Sequence, residues 1–181
     1  MDLKNRILLL GSMGAGKTTI GTELSQTLGW PYIDNDDELS VITGFSREEL
    51  SKLPIPQLHQ YESQYLHRLA AMPGPFIAGA AGSVVDYEDN HTDIESMFSV
   101  YLFIPLETIY QRVGDSGVGR QIYSANSTTE DHDEIAKGRE ILRERFERRD
   151  PLYRKLNKIT IELSSDPHAD TLKIIKALSE K

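Results

Sequence analysis

Gly11-Ser12-Met13-Gly14-Ala15-Gly16-Lys17-Thr18 follows the apolar run Ile7-Leu8-Leu9-Leu10 and precedes a segment, Thr18 to Leu28, in which Ile20, Leu24 and Leu28 fall four residues apart. An apolar run that stops at glycine reads as a buried strand, and the four-residue spacing as a helix with one buried face. Between them the stretch fits G-x-x-x-x-G-K-[ST] at every fixed position. The glycines let the loop bend until successive backbone N–H groups point inward at an anion, and the positive end of the following helix adds to them. Lys17 has the reach for the outer phosphates of a nucleotide, and the Thr18 hydroxyl can ligate magnesium. Gly11, Met13, Gly14, Ala15, Gly16, Lys17, Thr18 and Thr19 are therefore expected to cradle ATP, with Mg2+ beside Thr18. The alternative is an ordinary glycine turn between strand and helix.

Outward from this loop the strand–helix alternation repeats. Tyr32-Ile33 reads as a second strand ending at Asp34, followed by helical pattern from Asp36 to Thr43 with Gly44 as its stop. A longer helix is expected from about Ile55 to Ala71, where Leu58, Tyr61, Glu62, Tyr65, Leu66 and Leu69 share helical spacing, until Pro73, Gly74 and Pro75 end it. Phe76 to Ala78 is a third strand running into Gly79-Ala80-Ala81-Gly82. Val100 to Ile104 is a fourth, and Pro105 opens a helix over Leu106 to Val113. The polar stretch from Gly114 to about Asp133 is long for a structureless connection and is read as a lid, with a disordered insertion as the alternative. Glu134 to Arg149 is a charged helix that Pro151 should break, Lys158 to Leu163 a fifth strand, and Ala169 to Leu178 a last helix. The fold class is thus α/β, a five-stranded parallel sheet with helices on both faces, in one domain over 1–181.

With 181 residues the chain can bury the core of such a domain, and its 39% apolar and 27% charged residues exclude a disordered class. The longest aliphatic run is far short of a membrane span, and the first residues lack a charged-then-apolar leader. With no cysteine, disulfides and thiolate zinc sites are excluded, which suits a cytoplasmic protein. The net charge of −8 argues against a nucleic-acid partner, though not against a small anion held by a local cluster. A monomer is the expected state.

Asp34-Asn35-Asp36-Asp37 closes the second strand. Ligands of an open parallel sheet sit outside the carboxyl ends of its strands, so Asp34 and Asp36 should face the same cleft as the glycine loop. A carboxylate there can hold magnesium, directly or through water, and can take the proton of an attacking hydroxyl. It would repel an acceptor that is itself a phosphate, which favours a hydroxyl-bearing one. Asp36 or Asp37 could instead cap the next helix, and that is compatible with a functional Asp34. Arg120, alone among small residues of the lid stretch, either folds over the nucleotide to neutralise charge during transfer or is a solvated loop arginine. Of Arg143, Arg145, Arg148 and Arg149, one or two should face the cleft and the rest water.

Taken in this order, GSMGAGKTTIG, YIDNDDEL and the late RRDPLYRKL resemble the shikimate kinase family, within the nucleoside-monophosphate-kinase-like group of P-loop folds. The likeness runs from about Ile7 to near the C-terminus, and the last stretch discriminates most, since many ATPases share the first. The resemblance implies a P-loop kinase with a lid that moves the terminal phosphate of ATP, with Mg2+, to a small hydroxyl acceptor bearing a carboxylate, shikimate first. Lys17 and Arg120 would hold the transferring phosphate, while Thr18 and Asp34 serve magnesium. Asp36 would orient and deprotonate the acceptor hydroxyl, and Arg149 would pair with the acceptor's carboxylate by its planar fork.

The acceptor half departs from the family pattern. Its second carboxylate-binding arginine, three residues before a glutamate, is His59 here, counted back from Glu62. A neutral imidazole offers one donor where a guanidinium offers five, and His59 could also simply lie on the helix surface. The family's Gly-Gly-Gly turn is Ala80-Ala81-Gly82, where methyl groups should crowd a close ligand and alanine resists positive φ. The lid reads Arg120-Gln121-Ile122-Tyr123 where the family has Arg-Pro-Leu-Leu. The expected acceptor contacts are Asp36, His59, Ala81, Gly82 and Arg149. Two other readings stay open: a kinase of the same fold for a different small acceptor, and an ATP-binding switch without transfer, which would need neither Asp36 nor Arg149.

Overall fold

β1 (Arg6–Leu10) is buried along its whole length, which only the middle of a sheet covered on both faces allows. The computed structural model describes residues 3–113 and 132–180. In it β1 lies at the centre of a five-stranded sheet with β2 (Tyr32–Ile33), β3 (Phe76–Gly79), β4 (Phe98–Phe103) and β5 (Ile159–Glu162). The order is β2-β3-β1-β4-β5 and every pairing is parallel. All strands therefore deliver their carboxyl ends, and the loops that follow, to one edge of the sheet.

Alternate side chains of β1 enter different cores. Leu8 and Leu10 pack with Leu39 of α2 (Asn35–Thr43), with Tyr65, Leu66 and Leu69 of α4 (Ile55–Ala71), and with Tyr153 and Leu156 of α7 (His132–Leu156). Ile7 and Leu9 pack with Ile20 and Leu24 of α1 (Lys17–Leu28), with Ile109 of α6 (106–113), and with Ile174 of α8 (Pro167–Ser179). The expected parallel sheet with helices on both faces is thus the fold. No helix among the described residues is long and apolar enough to cross a membrane.

Three details differ from the sequence reading. Pro151 does not break its helix: α7 continues through it to Leu156. An interior proline costs roughly 3 kcal/mol, but the turn beyond it buries Tyr153 and Leu156, each contributing about 1.5–3 kcal/mol. Tyr153 also stacks on Tyr101 with ring centroids 4.7 Å apart. β4 starts at Phe98, because Ile7 already pairs there. A short α3 (Arg47–Ser51) follows α2, held by a capping box in which Ser46 and Glu49 each satisfy the other's backbone N–H. Most of the expected lid, residues 114–131 including Arg120, lies outside the described residues.

Candidate active site

The glycine loop adopts a conformation that its sequence alone permits. Gly11, Gly14 and Gly16 have φ of 151°, 76° and 92°, values at which a side chain is strained. A Cβ on Gly11 would also stand 2.9 Å from the Leu102 carbonyl oxygen. Gly16 is the N-cap of α1 and has no side chain to cap with, so the first N–H groups of that helix remain for an anion. Lys17 folds back over the loop and donates to the carbonyls of Gly11 at 2.8 Å and Ser12 at 3.1 Å. Burial lowers its pKa to about 8, against the opposing charges of Asp36 and Asp34, and with a small further push from Arg149. The lysine therefore already senses every charged group expected of the reaction centre outside residues 114–131.

Asp34 does two jobs at once. Its Oδ1 accepts from the Asp36 backbone N–H at 3.0 Å, so the aspartate that caps α2 is Asp34 itself, where Asp36 or Asp37 had been the alternative. The reason is register: the helix begins at Asn35, one residue earlier than its apolar pattern indicates. Its Oδ2 accepts from the Thr18 hydroxyl at 3.1 Å and from the Tyr32 hydroxyl at 3.2 Å. One hydroxyl and one carboxylate fit the magnesium that travels with a nucleotide, because phosphates and water complete its octahedron. No cluster of three or more metal-ligating His, Cys, Asp or Glu occurs among the described residues, so nothing resembles a dedicated all-protein cage. Beside this pair opens a cleft of about 420 Å³ whose lining includes Thr18, Asp34, Asp36 and Arg47. The Asp36 carboxylate accepts from Asn35 Nδ2 at 3.1 Å onto Oδ1.

The corner that unites the two halves is Gly82. A Cβ there would lie 3.3 Å from the Tyr153 hydroxyl, 3.5 Å from the Gly11 carbonyl and 3.6 Å from Arg149 NH1. Tyr153 donates to the Gly82 carbonyl at 2.7 Å, fixing the turn after β3 against α7. The expected crowding by Ala80 does not arise: its side chain is buried in the core, and its N–H continues the sheet by donating to Leu9 at 3.1 Å. Nor is alanine strained here, since no non-glycine residue among those described has positive φ. Ala81 is partly buried and packs against the same core.

His59, an expected acceptor contact, is not a freely exposed helix residue. Its Nδ1 is 2.7 Å from Glu62 Oε2, its side chain is 15% exposed, and its ring lies against Tyr87 at 5.0 Å. Ser83 donates to the same Glu62 oxygen at 2.6 Å. Arg149 reaches the corner, yet its Nε and NH2 both donate to Asp86 Oδ2, at 2.9 and 2.7 Å. Arg148 NH2 joins that oxygen at 2.8 Å. Burial alone would raise the Asp86 carboxyl, but the hydrogen bonds and charge of Arg149, with Arg148 behind them, hold it below its ordinary value.

Sequence reasoning missed Asp86, Tyr32, Ser83, Tyr153 and Arg112. Arg112 lies over the glycine loop, 3.4 Å from the Gly14 carbonyl. Tyr153 stood in the RRDPLYRKL stretch without being given a role, and Tyr32 left a trace through Gly21, a mid-helix glycine of the kind that marks close approach. A Cβ on Gly21 would meet the Tyr32 ring at 2.1 Å.

Comparison with known proteins agrees with this geometry. A sequence model of the shikimate kinase family matches residues 13–179. A shikimate kinase of Pseudomonas syringae pv. syringae is 30% identical over 176 residues, covering 96% of each chain. One of Neisseria meningitidis serogroup C is 27% identical over 98% of each. The structure of shikimate kinase from Acinetobacter baumannii in complex with shikimate superposes with a TM-score of 0.78 at 26% identity, over 95% of this chain and 91% of that one.

Proposed function

Because the chain belongs to the shikimate kinase family, we propose that it phosphorylates a hydroxyl of shikimate from ATP. Membership makes it an ATP-dependent small-molecule kinase that works with Mg2+. The observation that carries the acceptor assignment is the Gly82 corner, where the Gly11 carbonyl of the phosphate loop and Arg149 stand within 3.6 Å of one Cβ position. An acceptor whose carboxylate meets Arg149 there is brought beside the phosphate loop.

Bound ATP·Mg supplies an electrophilic terminal phosphorus and a leaving group whose charge the metal shares. Gly11 to Thr19 would hold the phosphates, and Thr18 with Asp34 would serve the magnesium ion. Asp36 would orient the acceptor hydroxyl and take its proton as the new O–P bond forms and the bond to ADP breaks. Lys17, released from the Gly11 and Ser12 carbonyls, would follow the transferring group with its charge. Arg120 takes the same role by resemblance alone. His59, Ala81, Gly82 and Arg149 complete the acceptor side. The same reading takes the protein as cytoplasmic, on its lack of cysteine, as without a nucleic-acid partner, on its net charge of −8, and as a monomer, on its small size.

A kinase of this fold for a different hydroxyl acceptor is favoured by one observation, the occupation of Arg149 by Asp86. A coupled ADP-release assay with Mg·ATP decides between them, comparing shikimate with hydroxylated acids, sugars and nucleosides. Shikimate-dependent turnover of roughly 1–100 per second supports the first reading. Turnover with another acceptor and none with shikimate overturns it.

A further inference from the structure

Leu156, Tyr153, Arg149 and Arg145 follow one another along α7 at steps of three or four residues, so their side chains leave the helix on one face. Leu156 and Tyr153 are buried in the core. Arg149, 13% exposed, has its NH1 beside Gly82, and Arg145, one turn farther on, is half-buried. The face thus changes from apolar to guanidinium as it leaves the core beside the Gly82 corner.

The remaining arginines of this segment are engaged elsewhere. Arg143 pairs with Glu140 on the surface, and Arg148, 59% exposed, pairs with Asp86. Arg145 makes no hydrogen bond or ion pair among the described residues. Burial, the largest cause, and the charges of Arg149 and Arg148 lower its pKa, while Asp86 acts in the opposite direction. It is a cation among cations, short of an anion. Arg149 is also open on one side: Asp86 takes its Nε and NH2, while NH1 has no hydrogen-bond partner among the described residues and faces Gly82. On α4, where the family resemblance leads one to expect a second arginine, His59 is already bound to Glu62.

We propose that the acceptor's carboxylate is bound here by Arg145 together with the open NH1 of Arg149, a clamp built on one helix, with Asp86 as the counter-ion that fixes the plane of Arg149. Arg145 is thereby a substrate-binding residue and Asp86 a positioning one. The inference rests on shikimate being the acceptor.

Calorimetric titration of the full chain with shikimate, in the presence of Mg2+ and a non-hydrolysable ATP analogue, tests it. Arg145→Gln should weaken shikimate binding by roughly tenfold or more, the loss of a charged hydrogen bond. Arg145→Lys should recover part of it, and Arg148→Gln should change it by less than about threefold. The methyl ester of shikimate, which lacks the charge, should bind the unaltered chain and Arg145→Gln alike. Affinity for the ATP analogue and the thermal midpoint should not move, since Arg145 has no hydrogen-bond or ion-pair partner to lose among the described residues. Shikimate binding that Arg145→Gln leaves intact overturns the clamp alone, as does an equal loss of affinity for the ATP analogue. No shikimate binding by the unaltered chain overturns the acceptor assignment and the clamp with it.

Discussion

Gly21→Ala should destabilise the protein, although the position lies inside α1, where alanine is ordinarily preferred to glycine by about 1 kcal/mol. The added Cβ would stand 2.1, 2.5 and 2.7 Å from Cε2, Cδ2 and Cζ of Tyr32. The ring has little room to yield, because its hydroxyl is bonded to Asp34 and also lies 2.7 Å from where a Cβ on Gly79 would be. Forcing it aside costs about 1–3 kcal/mol as overpacking, and losing a hydrogen bond to a carboxylate costs about 1.5–3 kcal/mol more. Against the gain in helix propensity, the net loss is about 1.5–5 kcal/mol. Urea unfolding followed by circular dichroism measures it, and turnover should fall as well, since Asp34 loses one of its two hydroxyl donors. The decisive comparison is the same substitution in a Tyr32→Ala background. With the ring and its hydrogen bond gone, Gly21→Ala should stabilise by up to about 1 kcal/mol, so the sign reverses. An effect of the same sign and size in both backgrounds would refute the packing of Tyr32 against α1 as the reason for the glycine.

The pKa of Lys17, about 8 in the free protein, lies below its ordinary value of 10.5, and incoming phosphates should raise it. ATP binding should then draw in up to about one proton near pH 9 and almost none near pH 6.5, and ATP affinity should fall as pH rises above about 8. Calorimetry in buffers of different ionisation enthalpy reads the uptake, and Lys17→Ala should abolish both the uptake and turnover. Asp36→Asn should leave ATP affinity within about twofold while lowering kcat by about 10²–10⁴, the range for loss of a general base; brisk transfer by this variant would remove Asp36 from that role. His59→Arg should tighten shikimate by roughly 1.5–3 kcal/mol if the new guanidinium reaches the carboxylate, and it should rescue Arg145→Gln. Unchanged acceptor affinity in isothermal titration would place residue 59 outside the pocket.

The nucleotide half of the site was legible because its chemistry is local. A loop that wraps an anion in backbone N–H groups needs glycine at set spacings, and those glycines, the lysine and the threonine lie within eight consecutive residues. The strands and long helices were legible for a similar reason: their periodicity lies within the segment, and α4 was read over its observed span, Ile55 to Ala71. What failed was set by contacts distant in the sequence. The turn past Pro151 stays helical because Tyr153 reaches Gly82 and Tyr101, residues on two other strands' ends and middles. Asp34 was placed at the cleft correctly, yet its capping role was given to its neighbours, because one-residue register at a helix start is weakly written in sequence. Asp86 sits 63 positions from the arginine that it binds, and nothing near it in the chain marks the pairing.

That pairing changes how the acceptor side should be compared with its relatives. By the family resemblance, counted by residue type, position 59 has a histidine where an arginine is expected and position 149 keeps its arginine, which implies a weakened clamp. Counted by charge in space, Asp86 neutralises much of what Arg149 offers, and Glu62 ties down His59, so the two positions together present less positive field than the single retained arginine implies. An acceptor carboxylate brought to that corner would then meet Asp86 and Glu62 as well as Arg149 and Arg148, two charges of each sign, an arrangement that offers it no net attraction unless another cation is added. Arg145 is the guanidinium on the same helix face that has no carboxylate of its own among the described residues, and adding it restores a positive balance without any change at His59 or Asp86. The two readings of the acceptor therefore reduce to one physical question, whether the charge of Arg145 is delivered into the cleft. A neutral acceptor would be indifferent to its removal, whereas a carboxylate acceptor could not be.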